Sequence, residues 1–343
     1  MTSRPDLRPV RWQPGPRPER ARRRAGNEPM TLLRRIPLPG TGPEDVVADS
    51  AGTLYTGLHD GTVVALDPQS GAVRPLVRTG GRPLGLHPLP DGRLLICDAQ
   101  RGLLRLDPGS GRIEPVLTVV RGERLTCCSN ATTTADGTIY VSDSSRRFTL
   151  EHWKGDLLEH SGTGRLIRLV PGEEPEVLLD GLQFANGVTL AADGSFVTVA
   201  ESGAYRLRRV YLTGGRAGQD DVLADNLPGF PDNLSTGPDG LIWVALAAAR
   251  DPLLDLLHRS NPLLRRALWR VPQQFQPDPR PTTWAIALDD QGRTVHDLQR
   301  SDLHYRMVTS ACASGGHLYL GSLVENTLLE IALPHPQSPH PTP

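Results

Sequence analysis

The chain has 343 residues, 38% apolar and 22% charged, with 35 Gly and 32 Pro. Gly and Pro together make about a fifth of it, short of the roughly 25–30% of low-complexity sequence, which excludes a disordered or collagen-like protein. A formal charge of −1, with no basic stripe in the body of the chain, argues against a nucleic-acid surface.

Residues 1–35 hold 10 Arg against 3 acids. Arg20, Arg22, Arg23 and Arg24 read as a solvated run, with an anionic partner as the alternative. Pro5, Pro9, Pro14, Pro16 and Pro18 break up any secretory apolar region, and no stretch approaches the ~18 apolar residues of a membrane span. The expectation is a cytoplasmic protein without a membrane partner, with 1–29 a poorly ordered lead-in and 335–343 a Pro-rich disordered tail; protein partners are not legible. Cys97, Cys127, Cys128 and Cys312 form no C-x-x-C pair or regular framework and read as free, half-buried thiols.

From residue 49 onward one unit recurs: a Gly-containing turn followed by a short β-rich run. The copies are Asp49–Gly57, Asp91–Asp98, Asp136–Asp143, Asp193–Glu201, Asp239–Ala245 and Gly315–Gly321. Asp-Gly between β-branched and aromatic residues is a hairpin signal, because Gly accepts the positive φ of a primed turn. A second run follows most copies, as in Gly61–Asp67, Gly102–Asp107, Gly164–Leu169 and Arg206–Tyr211, so each repeat supplies four strands. Six such units predict an all-β fold, a six-bladed β-propeller over residues 30–334 with four antiparallel strands per blade.

The turn glycines Gly52, Gly92, Gly137, Gly194, Gly240 and Gly316 are spaced by 40, 45, 57, 46 and 76 residues, where a blade needs about 40–45. The excess marks two insertions, 146–163 and 250–285. Leu253, Leu254, Leu256 and Leu257 fall at helical spacing in the second, predicting a short helical insertion between the last blades that is either a lid or a packed surface helix.

In a propeller, equal phases of successive repeats end at one height in the central channel. About eight residues before each turn glycine stand Glu44, Leu84, Asn130, Asn186, Asp232 and Val308. Buried carboxylates are costly unless satisfied, and two carboxylates with two amides make a hard-oxygen set suited to Ca²⁺ rather than Zn²⁺. Taken singly, Asn186 before Gly187 and Asp232-Asn233 after Pro231 read equally as turn residues, and Glu44 as an ion-pair partner. As a set at one phase they read as a metal site.

Gly42–Val46, Gly81–Gly85, Tyr140–Ser145, Gly164–Leu166, Phe184–Val188 and Leu227–Asn233 together resemble the strictosidine synthase-like proteins, grouped with the gluconolactonases, paraoxonases and regucalcin (the SMP-30 group). The resemblance runs from about residue 12 to about residue 333. It implies one axial calcium with ligands at Glu44, Asn130, Asn186 and Asp232, and Asn233 as a further metal-side residue. In hydrolytic members the metal polarises a carbonyl or phosphoryl oxygen, which points to Asp232 as nucleophile or base, with Glu44 beside it. Two family positions differ. The acid/base Glu of the plant synthase falls on Thr309, which cannot shuttle that proton, and the paraoxonase His falls on Leu84, with His87 expected outside the ring.

The resulting expectation is a calcium-dependent lactonase or aryl-esterase acting on a small-molecule ester, with Leu84, Phe148, Trp153 and Thr309 contacting substrate. A synthase or lyase would need another acid/base, with Asp143, Glu201 and Glu325 as candidates. The third reading is a non-catalytic propeller with a structural calcium.

Overall fold

The computed structural model describes residues 4–272 and 281–334. The expected tail 335–343 lies outside the described residues. Strand β1 (Leu32–Pro37) opens the propeller, and the first blade follows as β2 (Val46–Ala48), β3 (Leu54–Gly57), β4 (Thr62–Leu66) and β5 (Val73–Arg78). The second is β6 (Pro83–Pro88), β7 (Leu94–Asp98), β8 (Gly102–Asp107) and β9 (Arg112–Leu117). A small hairpin, β10 (Val119–Val120) and β11 (Glu123–Arg124), precedes the third blade of β12 (Cys128–Thr133), β13 (Ile139–Asp143), β14 (Gly164–Leu169) and β15 (Glu176–Leu182). The fourth is β16 (Ala185–Leu190), β17 (Phe196–Glu201), β18 (Arg206–Tyr211) and β19 (Asp220–Ala224). The fifth is β20 (Gly229–Thr236), β21 (Ile242–Ala249), β22 (Thr283–Leu288) and β23 (Thr294–Arg300). The sixth is β24 (Val308–Ser314), β25 (His317–Ser322) and β26 (Thr327–Ala332), and its outer strand is β1. That last pairing, Ile36 opposite Leu328 and Pro37 opposite Thr327, closes the ring with the two ends of the chain and removes the open edge.

Alternating apolar residues fill the seams between blades. Val63, Ile96, Val141, Val199, Val244 and Leu320, all on second or third strands, are completely buried. The inner strands must also approach each other near the axis, which requires missing side chains there. A Cβ on Gly187 would stand 2.2 Å from the Leu234 backbone nitrogen, and one on Gly85 would stand 2.6 Å from Asn130 Nδ2.

The first insertion, in the third blade, contains α1 (Trp153–Glu159). The second lies within the fifth blade, between β21 and β22, and contains α2 (Pro252–Arg259) and α3 (Pro262–Arg270). Each of the latter begins with Pro after a side-chain cap: Asp251 accepts from the Leu253 and Leu254 amides, and Asn261 from the Leu263 amide. The three helices form a cap over one end of the axis, with Phe148, Leu158 and Trp269 in its own small core.

Residues 4–29 follow a path the composition does not suggest. In place of a loose lead-in, the segment runs as a strap along the cap and onto the fifth blade. Prolines keep it extended and lower its demand for hydrogen-bond acceptors, while its carbonyls accept from arginines: Leu7 from Arg266, Val10 from Arg265, Pro14 from Arg259 and Gly15 from Arg250. Trp12 stacks on His160 at 4.2 Å, and Arg20 bonds Asp297 and Gln299 while lying over Trp284. The cysteines are free as expected, but all four are buried rather than half-buried.

Candidate functional site at the propeller axis

Five of the six inner strands are irregular at one height. The register against the second strand shifts between Pro83 and Leu86, Cys128 and Ala131, Ala185 and Val188, Pro231 and Leu234, and Val308 and Ser310. The residues inside these bulges include four positions of the expected ring, Leu84, Asn130, Asn186 and Asp232, together with Asn233 and Thr309. A bulge re-aims a side chain, here toward the axis. In the first blade Glu44 and Asp45 precede β2 and reach the same level. The sixth position is corrected by one residue, because Val308 is packed in an apolar seam and Thr309 is the side chain on the axis.

These side chains join all six blades in one buried network. Asp45 Oδ2 accepts from the Leu86 amide at 3.0 Å and from Asn130 Nδ2 at 3.3 Å. Asn130 Nδ2 also donates to Asn233 Oδ1 at 3.0 Å, and Asn130 Oδ1 accepts from the Val188 amide at 3.0 Å. Asn233 Nδ2 donates to Glu44 Oε2 at 3.1 Å, and Thr309 Oγ1 donates to the Glu44 carbonyl at 2.5 Å. Asn186 Oδ1 accepts from Ser129 Oγ at 3.0 Å, while its Nδ2 donates to Ser202 Oγ at 3.3 Å and bonds the Asp232 carboxylate. Asp232 Oδ1 is buried and has no hydrogen-bond partner.

The network concentrates negative charge. Burial is the main force raising the Glu44 carboxyl to about 7, against the opposing pull of the Arg82 guanidinium. Asp45 and Asp232 are pushed well above the usual carboxylate range, first by burial and then by the neighbouring Glu44. Arg82 spends its donors on the Gly42, Pro83 and Gly57 carbonyls and makes no direct pair with Glu44.

Above this floor lies a cavity of about 780 Å³. Glu44, Leu84, Ser129, Asn186, Ser202, Asp232 and Thr309 line its base. Phe184, Phe230 and Met307 contribute to the wall, and Trp153, Leu157, Leu254 and Leu257 come from the cap. Phe184, His304 and Met307 all line the cavity and all hold a positive φ of 58°, 50° and 50°, a conformation that costs non-Gly residues energy and clusters at functional sites.

The ring positions and Trp153 therefore converge on one cavity, apart from Asn130 and Asn233, and of the expected substrate contacts Phe148 stays away from it. Asn130 and Asn233 lie just beneath the cavity surface, behind Glu44 and Asp232. Phe148 does not reach it: the ring is completely buried against Leu158 and Trp269, so it supports the cap rather than touching a ligand. His87 lies between blades, its Nε2 3.0 Å from Thr133 Oγ1. Asp45, Ser129 and Ser202 were missed by the repeat phase. Asp45 follows Glu44 directly, where strand alternation would have placed it on the opposite face.

The acid/base candidates Asp143 and Glu201 prove to be structural. Asp143 accepts from the Cys127 amide at 2.9 Å and from Arg165, and Glu201 from the Gln183 amide at 2.9 Å and from Arg206. Both end second strands and hold the incoming chain of their blade. Glu325 accepts from the Arg306 amide at 3.2 Å.

The donor set suits a hard divalent cation. Among the described residues no three His, Cys, Asp or Glu side chains form a metal-sized group, so carboxamides must complete any site. Asn130, Asn186 and Asn233 each have their oxygen in one protein hydrogen bond, leaving one lone pair on each. The unpartnered Asp232 oxygen and three carboxyls whose ionisation burial opposes are what an oxygen-ligated cation would satisfy.

Models of two related families match the sequence: strictosidine synthase over residues 130–215 and the strictosidine synthase-like N-terminal region over 25–66. The rat adipocyte plasma membrane-associated protein is 33% identical over 319 residues, spanning 85% of this chain and 83% of its own. The bovine protein is 35% identical over 309 residues, 82% and 73% of the two chains. The chain belongs to the strictosidine synthase-like family. A strictosidine synthase-like protein of Arabidopsis thaliana is similar at 29% over 297 residues, 85% and 79% of the two chains. Among solved structures, a gluconolactonase of Xanthomonas campestris superposes with a TM-score of 0.64 at 15% identity, over 91% and 97% of the two chains. A calcium-binding regucalcin of Agrobacterium tumefaciens gives 0.60 at 15%, over 88% and 93%. These two establish that the strictosidine synthase-like chain shares their propeller fold.

Proposed function

We propose that the chain is a calcium-dependent hydrolase of the lactonase or aryl-esterase kind, acting on a small ester or lactone in the axial cavity. The observation that carries this reading is the buried, unpartnered Asp232 Oδ1 at the base of an apolar-walled cavity. Support also comes from the structural neighbours named as a gluconolactonase and a calcium-binding regucalcin.

Glu44, Asn186 and Asp232 would hold the ion from the cavity side, with Asn130 and Asn233 behind them. A cation bound there supplies Lewis-acid polarisation of a carbonyl. The chain's own residues supply the rest. Asp232 stands at the base of the cavity, so its carboxylate, through the oxygen not turned to the ion, is the group placed to take the proton of an attacking water. Glu44 is held in orientation by Asn233 Nδ2 and Thr309 Oγ1. Leu84, Phe184 and Phe230 present apolar surface to the acyl or aryl part and limit water.

The side-chain geometry does not favour a condensing synthase, although a strictosidine synthase model matches residues 130–215. Thr309 is occupied with the Glu44 carbonyl, and Asp143 and Glu201 are occupied with backbone amides. The test is hydrolysis of a panel of lactones and aryl esters by purified protein, with and without a chelator. Turnover abolished by chelation and restored by calcium is expected. Turnover indifferent to calcium removal would reject the reading. A lowered melting temperature on chelation, with no substrate hydrolysed, would assign the ion a structural role only.

A further inference from the structure

We infer that the cavity selects amphipathic anions: esters or lactones whose apolar body carries a carboxylate or similar negative group at the end remote from the scissile bond. The inference rests on the hydrolase reading for the chemistry at the floor and adds the class of substrate.

The cavity is polarised along its depth. All three carboxylates that line it are already assigned: Glu44 and Asp232 at the base, and Asp251 at the rim, which caps α2 through the Leu253 and Leu254 amides. Between base and rim the surface is mainly apolar, formed by Leu157, Leu254, Leu257, Phe184, Phe230 and Met307, with Lys154 as a further cation among the lining residues. At the mouth the strap brings Arg22 and Arg24 to the cavity lining. Both side chains are exposed, and neither makes a hydrogen bond or ion pair to any described residue. Glu19, the acid on the same turn, is bound by Arg23 at 2.9 Å.

The strap is fixed where this matters. Arg20 is anchored on Asp297 and Gln299, and Ala21 is buried with its backbone oxygen accepting from Arg17 at 2.7 Å. On the other side the Gly26 amide donates to the Gln299 carbonyl at 3.0 Å, so Arg22 and Arg24 are carried on a turn docked at both ends rather than on a loose terminus. A ligand reaching from the floor to this turn meets apolar wall first and unpaired guanidinium last, and guanidinium suits carboxylate, sulfate or phosphate oxygens.

Two measurements on the calcium-loaded full chain test this. The first compares kcat/KM for mono-p-nitrophenyl suberate and p-nitrophenyl octanoate, which differ in the terminal carboxylate, in wild type and in the R22Q/R24Q double variant. Wild type should prefer the anionic ester by tenfold or more, through KM. The preference should shrink to within about threefold in the variant and should weaken with added salt. The second titrates decanoate and decanol calorimetrically into both proteins and requires no turnover. Decanoate binding weakened tenfold by R22Q/R24Q, with decanol unchanged, supports the inference even if neither ester is hydrolysed, in which case the hydrolase reading alone fails. Equal preference for the two esters, or decanoate binding insensitive to the double variant, overturns the inference while leaving hydrolysis intact. Because both arginines are exposed, an unchanged melting temperature serves as the control for folding.

Discussion

Asp232 is the residue on which structure and chemistry meet. Its Oδ1 is buried without a partner, and its carboxyl is pushed well above the ordinary range by burial and by Glu44. A buried carboxylate oxygen left without a partner destabilises a fold by about 1–3 kcal/mol unless something satisfies it. Asp232→Asn should therefore raise the melting temperature of the calcium-free protein, abolish the further rise that calcium gives the wild type, and lower kcat/KM on a turned-over ester by at least about a hundredfold. Differential scanning calorimetry with and without calcium checks the first two, and an equal loss of stability in both conditions would count against the assignment. A second prediction concerns packing: Gly187→Ala puts a methyl group 2.2 Å from the Leu234 nitrogen, next to Asn233. It should cost about 3 kcal/mol by urea unfolding and disturb the axial network, whereas Gly194→Ala, in an open turn with nothing within 4 Å, should cost only the strain of its positive φ, about 1 kcal/mol.

At the scale of elements, the bulges explain why the ring positions were legible and their exact phase was not. The Asp-Gly turns define each second strand, so counting back about eight residues reaches the inner strand near the axis. One extra residue per bulge moves the count, and this is why Thr309 rather than Val308 faces the channel and why Asn233 joins Asp232. The strap was not legible at all. Arginine and proline in residues 4–29 read as a solvated leader, because the carbonyls that arginines of the cap engage become visible only once α2 and α3 are placed. This joint has a titratable centre. Trp12 stacks on His160, His258 stands edge-on to both, and Arg265 lies 3.0 Å from His258 Nδ1. Burial pushes His160 down to about 4 and His258 to about 3, with nearby Arg265 acting in the same direction. In the unfolded chain both would protonate near pH 6.5. The unfolded state thus binds more protons over the interval from about 6.5 down to about 4, so stability is full above pH 6.5 and falls as the pH drops through that interval. The loss should be on the order of 2 kcal/mol per histidine between pH 7 and 5. Hydrogen exchange should show the amides of α2 and of the strap opening first as the pH falls, and protection independent of pH there would contradict the argument.

The whole molecule is a ring closed at two places. At the circumference β1 pairs with β26, and at the axis Asp45, Asn130, Asn233, Glu44 and Thr309 tie the inner strands by hydrogen bonds. The six-bladed architecture was readable from the repeated turn glycines, since four strands per repeat leave no other way to bury both faces of each sheet. The cap was readable only as excess length and leucine spacing, which did not tell that Phe148 faces its interior and Trp153 the cavity. A cation on the axis would bind blades one, four and five together, so calcium should stabilise the native state by about 2.7 kcal/mol at a concentration a hundredfold above its dissociation constant. The most direct test of the central claim is calorimetric titration of calcium into chelator-treated wild type and Asp232→Asn protein. One ion per chain in the wild type, with affinity lost in the variant, is the predicted result. No saturable binding by a folded wild type, or equal affinity in the two proteins, would contradict the claim that the axial ring is a calcium site.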